Sequence, residues 1–182
     1  MKGKKKSIME PKFKSLMQIG ILVENLEEAV KNYEAMGISG WDISALDNTV
    51  PPFEDLKFDG KEIPEKGQII KTAMTTVFGV EIELIEPVAE GTAYYKWIKE
   101  HGPGIHHMAF DVGDDYEKFV SDCKDQTGKD PWVHGTGIHG LMDFSYVDLR
   151  KQMGIIVECY KNKQPGKPYL RFDKEAELVY IC

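Results

Sequence analysis

Four side chains in this 182-residue sequence have the types and spacing to hold a metal ion: Gln18, Glu83, His107 and Glu158. Each sits in a short run of β-forming residues. The runs are MQIGILV from Met17, VEIELIEP from Val80, HHMAFDV from His106 and IIVECYKN from Ile155. A carboxylate centred in such a strand is costly to bury unless something compensates its charge. Three oxygen donors and one imidazole would leave positions on a six-coordinate ion for water or substrate. An oxygen-rich set suits harder ions, with zinc, nickel, cobalt, manganese and iron all conceivable. The chemistry requires four strands that turn these side chains to one concave face.

The elements that would do so are written twice. MQIGILVENLEEAVKNYE, from Met17, and HHMAFDVGDDYEKFVSDCK, from His106, each open with a strand-like run and continue as a helix. Strand side chains alternate between faces. Gln18, Gly20 and Leu22 therefore point one way, and so do His107, Ala109 and Asp111 at the matching places. In the first helix Leu26, Ala29, Val30 and Tyr33 fall at i, i+3, i+4 and i+7. Tyr116, Phe119, Val120 and Cys123 repeat that spacing, giving one apolar stripe per helix. Asn25 and either Asp114 or Asp115 are placed as N-caps. Each copy closes on a strand with a central glutamate, Glu83 sharing a face with Glu81 and Ile85, Glu158 with Ile156 and Tyr160. GQIIKTAMTTV (67–77) and MDFSYVDL (142–149) supply middle strands. AYYKWIKEHG (93–102) reads as a connecting helix ended by Gly102. Residues 47–67 read as a long loop with a short strand around Leu56, and long loops often border sites. Pattern alone leaves open that the two strand–helix units are unrelated.

The remaining histidines have plainer readings. His106 has the opposite parity to His107 and reads as a strand-entry residue making a backbone hydrogen bond. His134 and His139, in HGTGIHG, read as part of a glycine-rich loop, with substrate contact by His139 the alternative. His101 reads as a helix C-terminal residue favoured by the dipole.

Composition sets bounds. With 42% hydrophobic and 29% charged residues, the chain suits one globular domain or two small fused units. A formal net charge of −7 argues against a nucleic-acid binder, which needs a basic face, yet leaves room for an anionic small substrate in a locally positive pocket. Cys123, Cys159 and Cys182 read as reduced thiols of an intracellular, cytoplasmic protein. No apolar run approaches the roughly 18 residues of a membrane helix, so no membrane partner is expected. The opening MKGKKKSIMEPK is basic without a following hydrophobic region, so residues 1–12 read as a disordered tail rather than a secretory signal.

The segments MQIGILVENLEEAVKNYE and IELIEPVAEGTAYYKWIKEHGPGIHHMAFDVGD resemble the vicinal oxygen chelate superfamily, the glyoxalase, bleomycin-resistance and dioxygenase group. Within it the nearest likeness is to methylmalonyl-CoA epimerases and glyoxalase-like proteins, over residues 13–162. The resemblance implies an α+β fold of two βαβββ modules forming a cupped, barrel-like mixed sheet around one divalent metal. The modules would be 13–102, including the connecting helix, and 103–162, with 163–182 as a C-terminal extension. It implies Gln18, Glu83, His107 and Glu158 as ligands of Zn, Ni, Co or Mn, and Glu158 with Glu83 as the acid/base pair. The implied activity is proton transfer alpha to a carbonyl, as in a methylmalonyl-CoA epimerase-like isomerase. Its substrate would be an anionic acyl thioester. A glyoxalase I-type lactoylglutathione lyase acting on a hemithioacetal is the alternative, and a non-catalytic small-molecule binding protein the third. A homodimer is also implied.

Departures from the epimerase pattern weigh on the choice. Those enzymes usually place histidine where Gln18 stands and often glutamine where Glu83 stands, so this donor set looks more like the zinc site of glyoxalase I. The stretch after Glu83 looks like the epimerase branch. A further glutamate of some epimerases would fall near Ile70 or Lys71, and neither is acidic; Lys71 is instead a candidate contact for a substrate carboxylate or phosphate. Gln18 spoils the two-histidine, one-carboxylate iron triad of a dioxygenase.

Overall fold

The computed structural model describes residues 12–47, 49, 56–63, 65–137, 142–163, 169–172 and 178–181. Apart from Lys12, the basic tail expected over 1–12 lies outside the described residues, as do His139 and Cys182. Among the described residues no helix is long and apolar enough to cross a membrane.

The first module runs β1 (Ser15–Leu22), α1 (Leu26–Ala35), β2 (Asp42–Asp47), then β5 (Gln68–Val77) and β6 (Val80–Pro87). Between β2 and β5 a small hairpin intervenes, β3 (Lys57–Phe58) and β4 (Lys61–Glu62). α2 (Ala93–His101) links to the second module, which repeats the first as β7 (Gly104–Asp111), α3 (Tyr116–Thr127), β8 (Val133–Gly137), β9 (Met142–Leu149) and β10 (Ile155–Asn162). A short helix, α3's successor α4 (Arg150–Met153), joins the last two strands. Ten strands form one mixed sheet ordered β2-β5-β6-β1-β7-β10-β9-β8-β3-β4. Reading outward from the centre, each module has the same strand order, and β1 and β7 meet antiparallel at the seam. The fold is therefore the α+β arrangement of paired βαβββ modules.

The hairpin shows that the sheet curls. β3 follows β2, the strand at one edge, yet pairs with β8 at the far side of the sheet. Leu56 and Ile63, which flank the hairpin, pack in one cluster with Ile70 and Ile85 of the first module and Phe144 and Tyr146 of the second, so the two sides of the sheet approach each other. The Asp59–Gly60 turn that closes the hairpin has both φ angles positive, 49° and 73°, the type I′ geometry that suits two-residue hairpins.

Burial follows the alternation of the strands. On the inner face Leu22, Ile70, Ile85, Ala109, Phe144, Tyr146, Ile156 and Tyr160 form one cluster. On the outer face α1 packs Leu26 and Val30 against Ala73 and Leu84. α3 packs Tyr116, Phe119 and Cys123 against Val147, Val157 and Cys159. Cys123 and Cys159 are buried free thiols. The inner cluster is closed over by Leu56, Phe58 and Ile63 from the hairpin and by Tyr94 and Trp97 from α2.

Several local expectations need correction. Asn25 caps α1, accepting from Glu28 N–H at 2.9 Å, whereas Asp115 stands at the N-cap position of α3 without acting as a side-chain cap. A turn of 3-10 helix at Gly113–Asp115 precedes it, and the Asp115 side chain makes no capping bond. The stretch around His134 is a strand, not a loop: β8 pairs with β9 and places His134 Nδ1 3.0 Å from Ser145 Oγ. β2 was not legible as a strand, because Ile43, Ser44 and Ala45 are exposed and give no apolar alternation. In the C-terminal extension β11 (Tyr169–Phe172) and β12 (Leu178–Ile181) pair with each other as a separate two-stranded sheet.

Candidate metal centre

The four central strands lay the polar side chains out in two adjoining rows. In one, Gln18 of β1 pairs with Glu81 on β6 and with Ala109 on β7, and Ala109 pairs with Glu158 on β10. In the other, Gly20 pairs with Glu83 on β6 and with His107 on β7. Neighbouring strands lie roughly 4.8 Å apart, so Gln18 and Glu158, or Glu83 and His107, stand about two strands apart across a small residue. Ala109 and Gly20 leave the room in which the long side chains converge. A Cβ on Gly20 would fall inside the His107 ring, so glycine is required there by contact rather than by backbone angle.

Three of the side chains converge on one atom of the fourth. His107 Nε2 lies 3.1 Å from Glu158 Oε2, 3.2 Å from Gln18 Oε1 and 3.5 Å from Glu83 Oε2. The group is almost dry: His107 is 0% exposed, Glu158 2%, Gln18 5% and Glu83 6%. Glu83 Oε2 and Glu158 Oε2 have no hydrogen-bond partner; they approach Nε2 at ion-pair distance without hydrogen-bond alignment. Burial pushes the Glu83 carboxyl well above its usual range, and the charges of Glu158 and Glu81 push it further.

The amide of Gln18 is oriented by its surroundings. Its Nε2 donates to Glu81 Oε1 at 2.6 Å, while its Oε1 accepts from Tyr160 O–H at 3.2 Å. The amide oxygen is thereby turned toward His107. Tyr160 keeps its proton, because burial and then the charges of Glu158 and Glu83 raise its phenol well above the ordinary value.

This donor set fits a divalent cation. Ligands at about 2.1 Å from zinc stand about 3.0–3.4 Å from one another in octahedral or tetrahedral geometry, and the contacts to Nε2 at 3.1, 3.2 and 3.5 Å lie in or close to that range. With Nε2 bare, its lone pair and the three oxygens would repel at that distance, and a divalent cation among them would supply the charge that two buried carboxylates require. Among the described residues no group of three or more His, Cys, Asp and Glu side chains is arranged to hold a metal ion as it stands. The arrangement is a convergent cluster of donors rather than a preformed cavity.

Two further candidates fall elsewhere. Lys71 is not brought to the cluster: it lies three positions from Met74, the partner of Glu83, and so faces the opposite side of the sheet. There it bonds Glu86 at 2.9 Å, and Glu86 in turn accepts from Leu26 N–H at the start of α1. His139 lies outside the described residues.

Three neighbours of the cluster went unassigned in the sequence. Glu81 and Tyr160 are each two residues from a proposed donor, Glu83 and Glu158, and strand parity alone places them on the same face. His106 is different. The β1–β7 register skips it, pairing Gly20 with His107 and Ile21 with Ile105, so a β-bulge turns its ring inward. His106 makes no strand-entry backbone bond through its ring; it is 3% exposed and its Nδ1 lies 3.0 Å from His107 Nδ1. Burial, then His107, Arg150 and His101, hold its pKa well below the usual value.

The match to known proteins concerns the family and the fold. Residues 17–141 match the Glyoxalase/Bleomycin resistance protein/Dioxygenase superfamily. The chain belongs to that family. Of solved structures, a Streptomyces coelicolor methylmalonyl-CoA epimerase in complex with 2-nitronate-propionyl-CoA aligns with a TM-score of 0.57 at 21% identity, covering 84% of this chain and 99% of that one. The Mycobacterium tuberculosis methylmalonyl-CoA epimerase aligns with a TM-score of 0.56 at 17% identity, over 86% and 93%. A hypothetical protein of Bacillus halodurans aligns at 0.55 and 22% identity, over 84% and 97%. At these identities the likeness is one of fold. No curated protein sequence matches.

Two outcomes follow from the packing and the charge. Gly20→Ala forces the His107 ring aside and is expected to lower stability by about 1–3 kcal/mol, the usual range for overpacking; an unchanged urea midpoint would show that the ring does not lie over that backbone. Because folding raises the Glu83 pKa, the metal-free protein binds this proton more tightly than the unfolded chain does. That contribution to stability is present below the unfolded value of 4.5 and is lost as pH rises toward the folded value. Glu83→Gln should therefore raise the Tm of metal-free protein at pH 8 by about 2–4 °C per kcal/mol relieved, with the gain shrinking toward pH 4.5. A lower Tm at pH 8 would refute the assigned cause.

Proposed function

We propose that this chain is a divalent-metal-dependent enzyme that moves a proton alpha to a carbonyl, as an epimerase-like isomerase of acyl-CoA thioesters. The observation that carries the proposal is the convergence of Gln18, Glu83, Glu158 and His107 within 3.5 Å of a single imidazole nitrogen. Methylmalonyl-CoA epimerases of the same fold, with acyl-CoA compounds bound, support the substrate class. A homodimer belongs to the same proposal. Gln18, Glu83, His107 and Glu158 would hold the ion, one of Zn, Ni, Co or Mn. When bound, it supplies Lewis-acid polarisation of the substrate carbonyl.

The chain's own residues supply the rest. Glu158 takes the alpha proton: its Oε2 has no hydrogen-bond partner to surrender, and a positioned carboxylate contributes by general base catalysis. Glu83, the second carboxylate at the same nitrogen and carried on β6 across His107 from Glu158 on β10, returns a proton. Tyr160 and Glu81 keep the Gln18 amide from rotating. Tyr94, Tyr146 and Ile156 wall the cluster from water, which strengthens its electrostatics and protects a carbanionic intermediate. The cover formed by Leu56, Phe58 and Ile63 must shift for a substrate to enter.

A glyoxalase-type isomerisation of a glutathione hemithioacetal is the second reading, favoured by the presence of two carboxylates at the same nitrogen. A panel of acyl-CoA thioesters and hemithioacetals, incubated in deuterium oxide with each metal, separates the two by which compound acquires deuterium. Glu158→Gln is expected to lower exchange by about 10²–10⁴-fold while the far-ultraviolet circular dichroism stays unchanged. Full exchange by that variant would remove Glu158 as the base. Wild-type protein that binds an aromatic ligand without metal, and exchanges nothing in the panel, would instead be a sequestering protein.

A further inference from the structure

The β-bulge in β7 places a second histidine behind the first, and the contact between them has a direction. His106 Nδ1 and His107 Nδ1 lie 3.0 Å apart. Two imidazole nitrogens at that distance share one proton, since two lone pairs or two N–H groups would repel. The other nitrogen of His107 faces the oxygens of Gln18, Glu83 and Glu158. To ligate a cation through Nε2, His107 must carry its proton on Nδ1. It then donates to His106 Nδ1, which must be bare, so His106 carries its own proton on Nε2.

The surroundings of His106 favour that tautomer. Its ring is boxed by Trp132 at 4.8 Å, Trp97 at 5.0 Å, Tyr94 at 5.6 Å and Tyr146 at 6.1 Å between centroids. Nε2 is buried there with no hydrogen-bond partner. An N–H among aromatic faces meets their negative π clouds favourably, whereas a bare lone pair in the same place is repelled. The box thus favours a proton on Nε2 and a lone pair on Nδ1, aimed at His107.

We propose that His106 is a positioning residue for the metal centre, fixing the tautomer and orientation of His107 so that Nε2 is bare toward the cation. The inference rests on the metal reading above and adds a residue to it. Ligating histidines are commonly held by an acceptor at their other nitrogen. Here that acceptor is the preceding residue in the chain, made available by a one-residue bulge.

Two substitutions separate this role from packing. His106→Phe keeps an aromatic ring in the box and removes the acceptor. His106→Asn gives up the ring and keeps an acceptor atom at the δ position. Metal-free protein titrated calorimetrically with Zn²⁺, Co²⁺ and Mn²⁺ is expected to bind about 10–100-fold more weakly as His106→Phe, with a Tm no lower than wild type. His106→Asn should bind much nearer to wild type despite a lower Tm. Imidazole nitrogen NMR of the Zn²⁺-loaded wild-type protein should find His106 protonated on Nε2 and His107 on Nδ1. Equal affinity in the phenylalanine variant, equal losses in both variants, or a proton on His106 Nδ1 in the loaded protein would overturn the role. Wild-type protein that binds none of the three ions would overturn the metal reading itself.

Discussion

Two carboxylates and an imidazole buried against one another are the constraint on which the inner face depends. Glu83 and Glu158 approach the same nitrogen in a space walled by Ile85, Ile156, Tyr146 and Tyr160. Burying a charge costs far more than burying a neutral group unless it is paired, and removing one partner of such a set leaves the others uncompensated. The fold tolerates the arrangement because the carboxylates sit on β6 and β10, each held by the sheet on both sides. Neither strand can rotate its glutamate outward without exposing Ile85, Leu84, Ile156 or Val157, because a one-residue slip turns every side chain to the other face.

That same period of two made most of the arrangement legible in the sequence. Alternation gave the face that each of Gln18, Glu83, His107 and Glu158 shares along its own strand, and the resemblance implied that the four faces meet; the structure brings the side chains together, with the alternation unbroken between Gln18 and Gly20 and between Glu83 and Ile85. The duplication was legible because each module spends its apolar residues identically, one strand face inward and one helix stripe against the outer face. What escaped the sequence was whatever departs from regular period. β8 contains two glycines and β2 exposes three successive residues, so neither shows alternation. The hairpin at 57–62 was legible only as a loop with a strand near Leu56, since its pairing partner lies in the other module.

His106 is the sharpest case. Parity assigned it away from His107, and parity fails at a bulge, where one extra residue on a strand resets the faces. The bulge lies beside Gly20, whose missing side chain admits the His107 ring. The two features belong together. Regular pairing would carry one histidine inward and the other out, and a side chain at position 20 would occupy the space into which the inward ring projects. A small residue on one strand and an extra residue on its neighbour together place two imidazoles where one would otherwise fit.

The filled cup bears on how such a centre would work. The inner face is occupied by the chain's own apolar side chains, from the hairpin on one side and α2 on the other. The hairpin is attached to the sheet by two residue pairs between β3 and β8, whereas β1 and β6 share five. Local stability follows the density of such contacts, and segments with few of them open at low cost. The donors are thus held by strands paired along both edges in the middle of the sheet, and the cover by a hairpin joined to it through two residue pairs. A centre built this way keeps its ligands fixed while its access varies, which is the division of labour that a proton-transfer site shielded from water requires.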